Sequence, residues 1–273
     1  MAQGIYVGTS GWSYPKGDGT WNGHFYPKGT KDDLSFYSQF FNTVEINTSF
    51  YYPLNPAYAY NWARKVPAGF LFTVKLWQKF THPAMYREAA GEEAVISGED
   101  VAVFNQGIEP LAAAGKLGAI LAQFPPSFIN DNYGRQVLTA VMRTFNQYPL
   151  AIELRHKSWS DDKNTAKMLA DGNTAWVQID EPGFSFSIAK DLPLTCSLAY
   201  FRFHGRNKEN WWTGNAETRY KYLYSKEEIK ELSDKVADAA ANSKITFTFF
   251  NNHWQGYAPK NAADLRKQLK LFD

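Results

Sequence analysis

One cysteine, Cys196, in 273 residues rules out an internal disulfide framework and a cysteine-based zinc site. No run of about 18 apolar residues exists, which argues against a transmembrane span. MAQGIYVGTSGW has no basic stretch leading into an apolar one, so no secretory signal is read and a cytoplasmic protein is expected. Charge of one sign is also missing. The formal net charge is +2, so nucleic-acid binding, although possible, is not implied and would need a local patch. There is no GxGxxG after the first apolar run and no Walker loop. GTSGW lacks the strand-to-elbow context that would make Ser10 a hydrolase nucleophile.

What is present is apolar and aromatic, at 44% and 16% of residues, enough for a substantial core. β-rich runs recur at 5–10, 43–47, 70–75, 117–124, 150–154, 174–180, 198–204 and 244–250. Helical patterns fall between most of them, near 31–40, 55–65, 99–114, 132–146, 160–170, 225–241 and 259–271. Asn55-Pro56 and the capping box Ser225–Glu228 mark two starts. Eight strands alternating with helices predict a single α/β domain, a (β/α)8 TIM-barrel-like fold. The crossover from Glu181 to Ser197, with Pro182, Gly183 and Pro193, lacks helical periodicity and is expected to be irregular. Connections entering strands are terse. Those leaving them (12–30, 76–98, 205–224) are long and aromatic, as expected at the active face of such a barrel.

Polar residues line one face of several strands at period two. TVEINTS carries Glu45, Asn47 and Ser49, and AIELR carries Glu153 and Arg155. AWVQID carries Gln178 and Asp180, with Val177 and Ile179 opposite, and YFRFHGR carries Arg202, His204 and Arg206. Glu45 is either the partner of a barrel-lining cation or a carboxylate that binds ligand or moves protons. Arg155, Arg202 and Arg206 present forks suited to anionic oxygens. Lys75 and His82 join the same rim; Lys75 could equally be a counter-ion of Glu45, and His82 could cap or stack. Gln123 and Asn251 end strands four and eight and could meet ligand. Trp12, Trp77, Trp159, Trp211, Trp212 and Trp254 fall at strand ends, where they either stack on a substrate or roof the mouth.

The motifs GTSGWSY (8–14), FNTVEINTSFY (41–51), FTVKLWQ (72–78), LGAILAQFPP (117–126), IELRHKSW (152–159), YFRFHGR (200–206) and FNNH (250–253) resemble, in order and over essentially the whole chain, the YecE-like proteins, the domain-of-unknown-function-72 family. The resemblance implies a TIM-barrel-like fold and no particular reaction. In layout the chain is also similar to xylose-isomerase-like enzymes and apurinic endonucleases, which bind divalent metals from their last four strands. That likeness implies Glu153, Asp180 and His204 as ligands of a possible metal, with Asn251 or Asn252 standing where a fourth carboxylate belongs.

These readings combine into an enzyme acting on a small anionic, phosphate-ester or nucleotide-like substrate at the carboxyl end of the barrel, with hydrolysis favoured over isomerisation. Arg155, Arg202, Arg206 and Lys75 would hold the anion, with Gln123, Trp159 and Asn251 completing the site. Glu45 or Glu153 would be the general base and His204 an acid or base. The alternatives are a non-catalytic nucleotide or nucleic-acid binder using Trp211 and Trp212, or a sugar isomerase or glycosidase. Glycosidase chemistry could draw on Glu45, Glu153 and Asp180, but the arginine-rich wall suits a neutral glycan less well.

Overall fold

The computed structural model describes residues 4–214 and 216–271. Nine strand segments occur among them: β1 (Gly4–Thr9), β2 (Thr43–Ile46), β3 (Leu71–Lys75), β4 (Leu117–Gln123), β5 (Leu150–Glu153), β6 (Ala175–Trp176), β7 (Gln178–Asp180), β8 (Leu198–Phe203) and β9 (Ile245–Phe250). The helices are α1 (Asp33–Tyr37), α2 (Pro56–Lys65), α3 (Gln78–Thr81), α4 (Pro83–Ala90), α5 (Gly98–Ala113), α6 (Asn132–Thr144), α7 (Lys157–Ser160), α8 (Asn164–Asp171), α9 (Ala216–Arg219), α10 (Lys226–Ala241) and α11 (Tyr257–Gln268). The predicted caps form: Asn55 accepts from Ala57 N, and Ser225 and Glu228 close a capping box. The long segment after β3, expected to be loop, folds instead into α3 and α4.

The strands are parallel, in two sheets ordered β2-β3-β4-β5-β6 and β7-β8-β9-β1. This is a TIM-barrel-like arrangement with two seams rather than one closed ladder. At one seam Val177 separates β6 from β7, so the expected sixth strand is in two pieces. Val177 N–H still donates to Ile152 O at 3.0 Å. At the other, β1 meets β2 through a single bridge, Ser10 with Glu45. Side chains replace the missing ladder there. Thr9 N donates to the Tyr37 hydroxyl at 2.8 Å, which donates to Thr43 O at 3.0 Å. Asn42 takes Val7 N–H and gives an N–H to Ile5 O, both at 3.1 Å. Gly8 makes this approach possible, because a Cβ there would lie 2.1 Å from Thr43 O.

Two apolar bodies result. The larger fills the layer between strands and helices, with Val44, Phe72, Ile120 and Ile152 facing outward from the strands. The smaller plugs the lumen and includes Leu121, Ala151, Val177, Tyr200, Phe247 and Phe249. Its members and the residues packed against it fix the inward parity of every strand except β2. The crossover after β7 holds no helix, as expected. Its backbone is satisfied by side chains instead: Gln178 Nε2 donates to Leu192 O at 2.7 Å and Gln178 Oε1 accepts from Leu192 N at 3.2 Å.

Tyr37→Phe should leave Thr9 N–H and Thr43 C=O short of a buried partner. We expect a loss of about 1–3 kcal/mol, read as a lowered urea midpoint with an unchanged slope. An unchanged midpoint would show that the hydroxyl does not hold the seam.

Candidate active site

Above the apolar plug the lumen turns polar, and inward parity decides which side chains take part. Glu45 (β2), Lys75 (β3), Gln123 (β4), Glu153 (β5) and Arg202 (β8) sit at or near the carboxyl ends of their strands. Arg155, Glu181, His204 and Asn251 continue the inward rows just beyond. A chain of alternating charge runs across the barrel. Arg202 Nη2 and Nε donate to Glu45 Oε1 and Oε2 at 2.7 and 3.0 Å. Its Nη1 donates to Glu153 Oε2 at 2.6 Å and to Gln123 Oε1 at 3.2 Å. Arg155 Nε and Nη2 reach Glu153 Oε1 at 2.7 and 2.6 Å. Arg155 Nη1 stands 3.2 Å from Glu181 Oε2. The Tyr200 hydroxyl donates to Glu45 Oε2 at 2.7 Å. Glu45–Arg202–Glu153–Arg155–Glu181 is therefore a five-member ionic lattice.

The lattice has a sealed floor and an open rim. Glu45, Glu153 and His204 are fully buried and Arg202 is 2% exposed. Lys75, Gln123, Glu181 and Asn47 are half-buried at the mouth. Titration follows this layering. Burial would raise the Glu153 carboxyl, but Arg202, Arg155 and the His204 contact outweigh it and hold it well below the usual carboxylate range. Burial, then Glu153 and Asp180, raise Glu181 against the pull of Arg155 and Arg202. Burial, then Arg202 and Arg155, bring Lys75 down to about 7. His204 is brought down to about 3 by burial, with Arg155 and Arg202 adding to it. His204 Nε2 is 3.2 Å from Arg155 Nη2, and the Asn251 amide is 3.0 Å from Nδ1.

Several expectations change. Gln178 and Asp180 face outward, not into the lumen; Val177 belongs to the lumen plug and Ile179 packs against it. Asp180 binds Arg206 at 2.7–3.1 Å and accepts from the Tyr224 hydroxyl at 2.8 Å. Arg206 leaves the stripe because Gly205, at φ +88°, turns the chain after β8. It pairs with Asp180 and with Glu228 and Glu231 of α10, outside the cup. The metal set Glu153, Asp180 and His204 is thus divided between the two faces of the strand layer. Among the described residues no group of three or more His, Cys, Asp and Glu is arranged to hold a metal ion.

Trp159, expected against substrate, is fully buried. It stacks on Phe128 at 5.3 Å and donates from Nε1 to Phe128 O at 2.8 Å. Trp211 is 3% exposed while Trp212 is 53% exposed, so the pair offers no double stacking platform. Arg155 and Arg202 are met by carboxylates rather than left for an anion. Glu181 was missed, although the parity that places Val177 and Ile179 inside also places Glu181 inside.

Replacing Arg202 by Met should strand Glu45 and Glu153 in a sealed site and cost about 3–5 kcal/mol. Adding Glu45→Gln should recover part of it, measured by chemical denaturation. A near-neutral single variant would mean that the lattice contributes little. The acid side has a definite sign. His204 and His82 both sit at about 3 in the fold, burial being the first cause for each. The unfolded value is about 6.5, so the stability they confer is full above about pH 6.5 and drains as pH falls toward about 3. Glu153, also depressed, adds a loss of the same sign below about pH 4.3. His82→Gln should flatten the slope of stability against pH between those limits; an unchanged slope would contradict a neutral buried His82.

Among the described residues no helix is long and apolar enough to cross a membrane. Residues 6–272 match the family described as protein of unknown function DUF72. UPF0759 protein YunF of Bacillus subtilis (strain 168) is 30% identical over 286 residues, spanning 98% of this chain and 95% of that protein. A DUF72 family protein from Thermotoga maritima MSB8 has a crystal structure similar at TM-score 0.85 and 36% identity, covering 98% of this chain and 99% of that one. Another, from Enterococcus faecalis V583, is similar at TM-score 0.84 and 28% identity, over 98% and 96%. By sequence over nearly its whole length, and by fold, the chain belongs to the DUF72 family, which the YecE-like motifs had indicated.

Proposed function

We propose that the chain is an enzyme that exchanges protons with a small polar substrate in the mouth of the barrel, with Glu181 as the general acid. The observation that carries this is the division of the carboxyls by layer. Glu45 and Glu153 are sealed and saturated by arginine, so they fix geometry and charge without meeting substrate. Glu181 lies nearer the rim, its side chain 9% exposed where those of Glu45 and Glu153 are fully buried; among the described residues it is ion-paired at one point, and its buried Oε2 accepts no hydrogen bond. Carboxyls whose surroundings push their pKa values apart divide the acid and the ionised roles between them. Here Glu153 stays ionised and Glu181 keeps its proton further up the pH scale.

Two further atoms favour a polar ligand. Ser10 Oγ, just beyond β1, and Asn47 Oδ1, just beyond β2, are buried with no hydrogen-bond partner among the described residues. Such atoms are costly unless something supplies the missing bond. The phosphate-ester substrate expected from the arginines is less well supported, because an anion would have to displace glutamates from Arg155 or Arg202. Hydrolysis is the reaction class to test first.

The test is a panel of phenyl and alkyl phosphates, carboxylate esters and glycosides, whose leaving oxygens need a proton, with Glu181→Gln beside the wild type. For the substrate turned over, loss of the acid should lower kcat by about 10²–10⁴-fold. It should also remove an alkaline limb from the pH–rate curve, since the acid is spent as pH rises through its raised pKa. Turnover indifferent to Glu181→Gln would overturn the assignment.

A further inference from the structure

Lys75 is the titratable side chain of the mouth that the acid–base reading leaves unused. It ends β3 on the lumen face, in register with Leu121 of β4. Its Nζ stands 3.9 Å from the centre of the Phe50 ring. Among the described residues Nζ makes no hydrogen bond or ion pair, while the Lys75 carbonyl accepts from Ser49 Oγ at 2.6 Å. The nearby carboxylates are already engaged, Glu45 by Arg202 and Tyr200, and Glu153 by Arg202 and Arg155. Burial strips the ammonium of hydration and two guanidinium charges repel it, while the Phe50 ring face returns only part of that cost. The balance of burial and Arg202 over the glutamates leaves much of the amine neutral near pH 7. Desolvation and a neighbouring cation are the two means by which a lysine becomes a nucleophile.

We propose that Lys75 is a nucleophilic amine that condenses with the carbonyl carbon of a neutral aldehyde or ketone, forming a Schiff base in the barrel mouth. The inference rests on the mouth being the substrate site, as argued above. In the first step the Nζ lone pair forms the N–C bond and the C=O π pair moves to oxygen. A proton passes from nitrogen to that oxygen, giving a carbinolamine. The oxygen then takes a second proton, from an acid of the rim or from solvent, and leaves as water while nitrogen forms the C=N bond. One amine, one carbonyl and one proton become one protonated imine and one water.

A neutral carbonyl compound fits the charge around it. With the amine neutral, the lattice holds three carboxyl groups (Glu45, Glu153, Glu181) and two guanidinium ions, so it offers no surplus positive charge to a carboxylate or phosphate.

The test is reductive trapping. The full-length protein is incubated at pH 7 with limiting propanal and sodium cyanoborohydride, then mapped by peptide mass spectrometry. Lys75 should be alkylated at least about tenfold faster than exposed lysines such as Lys167 and Lys230, because an ordinary lysine is almost wholly protonated there. Its labelling should rise with pH with a midpoint near 7, and Lys75→Arg, checked for an unchanged melting curve, should lose it. Labelling spread over exposed lysines without excess at Lys75 overturns the proposal. Faster labelling by pyruvate than by propanal overturns the neutral-substrate assignment. Trapping needs the amine and not the rim acid, so Glu181→Gln should still be labelled at Lys75. Failure of the adduct in wild type therefore sinks this inference alone, and indifference of turnover to Glu181→Gln sinks only the acid–base reading.

Discussion

Two guanidinium groups buried among three glutamates set the terms for the rest of the barrel. An arginine brings five N–H donors and a charge that cannot be shed, so burying one obliges the fold to supply carboxylates at fixed places. Arg202, on β8, receives them from β2 and β5 of the other sheet, and Arg155 from β5 and the end of β7. Strands that share no backbone ladder are thereby tied through their side chains. The tie runs across the lumen at the level where the apolar plug stops, and it sits close to the seam where β1 and β2 share only one bridge.

The same lattice shapes the chemistry available at the mouth. By consuming the arginines it withholds the anion-binding surface that a list of residues suggests. By saturating Glu45 and Glu153 it withholds two carboxylates as well. What remains nearer the rim is a smaller set with unusual electrostatics, Glu181 pushed up and Lys75 pushed down. A rigid ionised floor beneath a few tunable groups is a pre-organised environment, since the floor need not reorient when charge develops above it.

Much of the fold was legible from hydrophobic periodicity and caps. Eight β-rich runs, the capping box at Ser225 and Glu228, and the irregular sixth crossover all follow from local chemistry. The site was legible only in part. Glu45, Glu153, Arg202 and His204 were correctly placed on inward faces, because polar residues in those strands have no outward partners. In the sixth strand that reasoning reversed. A crossover without a helix exposes its backbone to the outer face of the strand, and Gln178 is needed there to satisfy Leu192. Outward polarity was read as inward, which displaced Asp180 into the cup and hid Glu181 behind it.

The sequence by itself determined the parallel α/β architecture, the family and the residue types at the carboxyl ends of the strands. These depend on alternation, capping and motif order, which are local properties of the chain. Only the tertiary structure decided which charges neutralise one another, which lie sealed and which reach solvent. Those depend on distances between strands far apart in sequence, such as the 2.7 Å from Arg202 to Glu45, and on the single glycine turn that sends Arg206 out of the cup. No periodicity encodes them, because pairing across a lumen depends on where the walls meet.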